Sequence, residues 1–148
     1  MDPVAVTHES ILGYGKLVSD VQGGPAYDCA SFSFTADVHT FDDCGSVTVC
    51  LLDGKRREMN VDRLERHTGT TELLVQLQND CVLFLAKPSE TTPAGSEVKT
   101  FLLKQGQALV LDRGTWHWIP FPVDENCRTL VVFKAKTPKL DYEVRALG

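Results

Sequence analysis

Residues 61–72, VDRLERHTGTTE, crowd the carboxylates Glu65 and Glu72, the imidazole His67 and the guanidinium groups of Arg63 and Arg66 into twelve positions between two apolar runs. In an extended strand Glu65 and His67 project to the same face, because side chains alternate along a strand. Glu72 follows five residues after His67, at the start of the next strand. A second segment, GQALVLDRGTWHWIP at residues 106–120, opens a strand at Gly106 and breaks it at Gly114. His117 comes three residues later. Imidazoles and carboxylates together are the side chains of mixed nitrogen/oxygen metal sites and of proton transfer. That chemistry requires the two segments to meet in one pocket. Each residue alone has a plainer reading. His67 is hydrogen-bonded or solvated, Glu65 pairs with Arg63 or Arg66 on an exposed face, where such pairs contribute little, and His117 packs in an aromatic ladder between Trp116 and Trp118. His8 and His39 lie outside both segments and read as surface or pocket rim.

The elements that must position these groups are short strands. SVTVCLL at 46–52 is β-branched and alternating, and Asp53-Gly54 signals a tight turn, with 57–61 as the returning strand. TELLVQLQ at 71–78 alternates, with Leu73, Val75 and Leu77 on one face and Glu72, Leu74 and Gln76 on the other. CVLFLA at 81–86 is apolar on both faces. Further strands are expected at 98–104, 107–112, 115–119, 129–134 and near 142–144, with turns at Gln105-Gly106 and Arg113-Gly114. PSETTPAGS at 88–96 reads as an exposed loop. Thr7 caps a short N-terminal helix that Gly13 and Gly15 end. Residues 27–43 have no clear apolar face, because Asp37, His39, Asp42 and Asp43 interrupt it. Eight to ten strands with closely spaced turns argue an all-β antiparallel sandwich or closed barrel. The 148 residues suit one domain with a sizeable core, at 43% hydrophobic and 24% charged.

The net charge of −5, without a basic block, argues against a nucleic-acid surface. No apolar run reaches the ~20 residues that span a bilayer, and the N-terminus lacks the pattern of a secretory signal. Five cysteines without a C-x-x-C spacing point to reduced thiols in the cytoplasm, several of them core residues.

The two segments resemble the paired motifs of metal-binding cupins, roughly G-x5-H-x-H-x3-4-E-x6-G followed by G-x5-P-x-G-x2-H-x3-N. Glu65-x-His67-x4-Glu72 is similar to the first, with glutamate for its leading histidine. Gly106-x5-Asp112-x-Gly114-x2-His117 is similar to the second, with aspartate for proline. The resemblance implies a cupin-type double-stranded β-helix, a jelly-roll barrel over residues 1–148 as a single cupin domain. The four groups would then line its mouth. Glu65, His67, Glu72 and His117 would offer a divalent metal two nitrogens and two carboxylates, a set suited to Ni, Mn, Zn or Fe.

Within the cupins the chain resembles the ureidoglycolate lyase (formerly hydrolase) family over most of its length. The resemblance rests on Leu12-Gly13-Tyr14-Gly15 before Leu17-Val18, on Leu64-Glu65-Arg66-His67 followed by Gly69-Thr70, and on Arg113-x-x-Trp116-His117 with Pro120. It implies a cytoplasmic, usually dimeric carbon–nitrogen lyase associated with a divalent metal. Its reaction splits ureidoglycolate into glyoxylate and urea in purine catabolism. On this reading His117 or Glu72 is the base, His67 and Glu65 hold a metal or orient the substrate, and Arg66 or Arg113 clamps the substrate carboxylate. Trp116 and Trp118 line the pocket. The chain departs from the family in carrying Asp112 and Trp118 where histidines are usual, and Ile119 as an extra residue before the proline. Those changes suggest a different or smaller substrate, a related small hydroxy acid for example. A non-catalytic small-molecule-binding cupin and another metal-dependent cupin enzyme are the alternatives.

Overall fold

The computed structural model describes residues 2–42 and 44–148; Asp43, one of the polar residues that interrupt the 27–43 region, lies outside the described residues. In chain order the strands are β1 (Val4–Ala5), β2 (Gly15–Leu17), β3 (Tyr27–Asp28), β4 (Ser33–Phe34), β5 (Val47–Lys55), β6 (Arg63–Arg66), β7 (Glu72–Gln78), β8 (Cys81–Ala86), β9 (Lys99–Leu103), β10 (Ala108–Leu111), β11 (Trp116–His117), β12 (Phe121–Pro122), β13 (Asn126–Lys134) and β14 (Glu143–Ala146). One α-helix, α1 (Thr137–Leu140), precedes the last strand. One sheet runs β1-β9-β8-β11-β6-β14, with β12 also paired to β8. The other runs β2-β10-β7-β13-β5. Except for the parallel β1–β9 pair, the neighbours in both sheets are antiparallel.

The strand alternation read from the sequence sets which face is core. Leu74 of β7, Leu109 and Leu111 of β10, and Val131 and Phe133 of β13 turn inward from the five-stranded sheet. They meet Leu83, Leu85, Phe101 and Leu103 from the seven-stranded sheet in one cluster. Burial of such side chains stabilises by roughly 1.5–3 kcal/mol each. Strand β8 is apolar on both faces for a reason: its outer side, with Ala86, joins Leu64, Val98 and Trp116 in a second cluster on the back of the seven-stranded sheet. The result is the all-β jelly roll of cupin type expected from the sequence.

Three local expectations are corrected. Asp53-Gly54 is not a turn but continues β5, paired with Arg128 and Cys127 of β13. Glycine serves close packing there, since a Cβ on Gly54 would lie 2.7 Å from Cys127 Sγ. Residues 57–61 form no returning strand. Arg57 instead lies across Phe121 with its guanidinium 3.8 Å from the ring centroid, and donates to the Ile119 carbonyl at 2.8 Å. The N-terminal helix is replaced by hydrogen-bonded turns over residues 8–14. Gly13, at φ 88°, leaves helical geometry, and the chain passes directly into β2. The described residues 27–42 contribute the β3–β4 hairpin, which stands apart from both sheets.

Placing Gly54 inside a packed strand makes a direct prediction. Gly54→Ala lowers unfolding stability by about 1–3 kcal/mol through overpacking, read from urea melts. Wild-type stability would place Gly54 in open space.

Candidate functional site

Three strands from both sheets deliver the site. On the seven-stranded sheet β6 and β11 pair so that Glu65 stands opposite His117, and His67 follows two residues after Glu65 on the same side. On the five-stranded sheet β7 begins at Glu72, which pairs with Leu111 and turns inward like Leu74. Side chains that face each other across the sandwich therefore meet where the two sheets open.

The rings of His67 and His117 lie 5.0 Å apart, centroid to centroid. Glu72 Oε2 is 3.2 Å from His117 Nε2 and 3.6 Å from His67 Nε2, and Glu65 Oε1 is 3.6 Å from His117 Nε2. Ligand atoms of Glu65, His67 and His117 all fall within 4.8 Å of one another. Both rings are held from behind. His67 Nδ1–H donates to the Asp141 carbonyl at 2.6 Å, and His117 Nδ1–H donates to the Thr115 carbonyl at 2.9 Å. A carbonyl can only accept, so each ring carries a hydrogen on Nδ1 and turns Nε2 toward the cluster. Phe133 meets His67 edge-on at 5.6 Å.

Glu72 and His117 are buried, and Glu72 Oε2 and His117 Nε2, 3.2 Å apart, have no hydrogen-bond partner beyond each other. Orphaned buried polar atoms are costly and uncommon, and here two of them stand side by side with a second carboxylate near. The donor set fits a divalent cation: two imidazole Nε2 atoms and carboxylate oxygens, with the second nitrogen of each ring already bonded. It equally fits a shared proton.

An open chamber of about 380 Å³ leads to the cluster, lined by Cys50, Leu51, Leu52, Val131, Pro138 and Tyr142 besides Glu65, His67 and Glu72. A narrower inner space of about 30 Å³ lies behind it, walled by Leu83, Leu85, Trp118, Ile119 and Pro120, with His117 at its edge. Among the described residues no lysine or arginine lines either space. A groove of about 300 Å³ on the back of the seven-stranded sheet, lined by Met59, Phe84 and Thr100 among others, has no titratable side chain. Cys81 and Cys127 sit away from the cluster, with the Cys81 thiol donating to Gln76 Oε1 at 3.3 Å; the closeness of the two sulfurs pushes the Cys81 thiol up and that of Cys127 down.

Of the residues singled out in the sequence, Glu65, His67, Glu72 and His117 come together, and Trp118 borders them. Arg66 and Trp116 do not join them, because strand alternation turns them to the back of the sheet. Arg66 pairs with Glu143 at 2.8 Å, donates to the Ser89 carbonyl at 2.6 Å and covers the Trp116 ring. The Trp116 indole N–H donates to Ser89. Arg113 is exposed, reaches the Asp42 carbonyl, and shares with Arg66 a separate cleft of about 420 Å³. Asp112 is exposed outside the chambers. The support of His67 by Asp141 escaped the sequence reading. The two are 74 residues apart, and no motif marks the later one.

Two facing antiparallel sheets with a histidine–glutamate cluster at their open end make a jelly roll with a candidate site at its mouth. The family model described as ureidoglycolate lyase matches residues 1–148, and the chain belongs to the ureidoglycolate lyase family. Among solved structures it is similar to an oxalate decarboxylase mutant of Bacillus subtilis (14% identity over 68% of this chain and 24% of that one, TM-score 0.45). Procruciferin, an 11S globulin of Brassica napus, gives 8% identity over 68% and 22% with a TM-score of 0.45. A formate complex of Lactobacillus farciminis oxalate decarboxylase gives 18% over 85% and 39% with a TM-score of 0.43. The chain thus spans between a fifth and two fifths of the length of these structures. No curated protein matches it. Among the described residues no helix is long and apolar enough to cross a membrane.

Arg66 is placed as a structural cation rather than beside the chambers. Arg66→Met lowers stability by about 1–3 kcal/mol, the cost of breaking a buried pair reduced by the partial exposure of Glu143. Thermal and urea unfolding measure it. A raised KM with unchanged stability would instead make Arg66 a substrate clamp.

Proposed function

We propose that the chain is a ureidoglycolate lyase-type carbon–nitrogen lyase that releases glyoxylate and urea from ureidoglycolate or a related small hydroxy acid. One observation carries the assignment of roles: the buried Glu72 Oε2, facing only the two imidazoles of the Glu65, His67 and His117 cluster. Those three residues would hold a divalent metal, Mn, Fe, Ni or Zn by donor type. When bound, it would supply Lewis-acid polarisation and the positive charge that the lining residues lack.

Glu72 is then the proton-transfer group. Its carboxylate accepts the proton of the carbinol hydroxyl as the carbinol oxygen becomes a carbonyl. The C–N bonding pair leaves with the urea nitrogen, and Glu72 returns the same proton to that nitrogen. Leu74, Leu85, Leu111 and Val131 wall the inner side of Glu72 and limit the water that reaches it from there. His117, 3.2 Å from Glu72, orients it, and the Thr115 carbonyl fixes the tautomer of His117. Trp118 and Ile119 close the inner space and limit substrate size.

The same reading places the enzyme in the cytoplasm, where its five free thiols stay reduced. It also makes the enzyme a homodimer. Strand β5 is an edge strand of nine residues. Its outward Val47, Val49 and Leu51 are 45%, 61% and 57% exposed. They align with outward Val132 and Leu130 of β13, and these with Leu73 and Val75 of β7. An apolar sheet face running to an open edge is a liability unless covered, and a second copy supplies a matching face.

Two measurements check this reading. Purified protein loaded with each metal should release glyoxylate from ureidoglycolate above the spontaneous rate, and Glu72→Gln should lower kcat by roughly 10²–10⁴-fold. No release with any metal would leave a binding cupin. In light scattering the wild type should run at twice the 16.4 kDa chain mass, and Val49→Lys should run as the monomer. A monomeric wild type would refute the dimer.

A further inference from the structure

We infer that Asp141 is the positioning residue of His67, fixing the tautomer and aim of that ring from the far end of the chain. The functional weight of this rests on the proposed role of His67 as a ligand; the geometry stands without it.

Asp141 grips one corner of the site twice. Its carbonyl accepts His67 Nδ1–H at 2.6 Å. Its carboxylate accepts the main-chain N–H of Thr68 at 3.2 Å and of Gly69 at 2.8 Å. The side chain therefore holds the chain just beyond His67, while the main chain holds the ring itself. The carbonyl sets the tautomer, and the carboxylate adds a direct tie between residue 141 and the 67–69 corner. Gly69 makes the approach possible, because a Cβ there would lie 2.8 Å from Asp141 Oδ2. Any larger residue would drive the carboxylate off the two amides.

Asp141 is itself held from both sides. Before it, Lys136 at φ 70° turns the chain into α1, Pro138 stiffens the first turn, and Asp141 N–H donates to the Thr137 carbonyl at 3.0 Å. After it, β14 pairs with β6, placing Glu143 opposite Arg66 and Val144 opposite Glu65. The short helix and the last strand thus bracket the residue that aims His67, and Pro138 and Tyr142 from the same segment wall the outer chamber.

The test uses the full chain and three readouts. The first is the His67 tautomer in metal-free protein, from long-range proton–nitrogen correlation spectra. The second is Zn(II) affinity by calorimetry, and the third is thermal stability. Asp141→Ala and Gly69→Ala, which break the clamp from opposite sides, should each turn the single Nδ1–H tautomer into a mixture. Each should weaken Zn(II) binding by roughly 10–100-fold, the usual effect of losing a ligand's outer support. Asp141→Asn, which keeps one acceptor, should fall between. Glu125→Gln, at a remote surface pair with Arg56, should change neither. If His67 keeps one tautomer and the affinity stays within about twofold in both clamp variants, the inference is overturned. Should the wild type bind no Zn(II), the ligand role of His67 fails and the tautomer readout alone decides the clamp. Should Asp141→Ala not fold, Gly69→Ala and Asp141→Asn carry the same comparison.

Discussion

Two carboxylates, Glu65 and Glu72, face two imidazoles at the open end of the sandwich, and no lysine or arginine lining the adjoining chambers offsets them. Bringing carboxylates out of water without a partner is expensive. A fold that keeps Glu72 buried with an unbonded oxygen must gain something from the arrangement. The gain proposed here is a site that a divalent ion or a proton completes. Much of the surrounding structure can be read as support for it: rings bonded from behind, apolar walls, and the cationic side chains sent elsewhere.

That support is distributed between the sheets in a particular way. The seven-stranded sheet contributes Glu65, His67 and His117 through the β6–β11 pair, and the five-stranded sheet contributes Glu72. The distance between Glu72 and the imidazoles is therefore set by how the two sheets pack, through Leu74, Leu85, Leu111 and Val131. A change in that apolar layer would reach the chemistry without touching a polar group. On the back of the same sheet, Arg66, Trp116 and Glu143 form a second polar and aromatic layer. It bonds β6 to β14 and so fixes the strand that follows Asp141.

The legibility of all this in the sequence followed sequence distance. Strands β7, β8, β9, β10 and β13 were visible from alternation and composition, as were the paired segments holding Glu65, His67 and His117. Strand alternation also turns Arg66 away from its neighbours Glu65 and His67, toward Glu143, Ser89 and Trp116. Gly54 misled because Asp-Gly usually means a turn, whereas here close packing on Cys127 required glycine within a strand. The turns at residues 8–14 mimicked a helix start but lacked the length to continue. Asp141 could not be found by local reading, since its partners lie at 67–69 and only the folded chain brings them together.

The central claim is that Glu65, His67 and His117 form one site for a single divalent ion, with Glu72 beside it as the proton-transfer group. Anomalous diffraction at the zinc edge, from crystals grown with stoichiometric Zn(II), tests it most directly. The account predicts one strong peak at the barrel mouth, about 2.0–2.2 Å from the Nε2 atoms of His67 and His117 and from a glutamate oxygen. A peak held by other side chains, or none at all with both histidines in place, would contradict it.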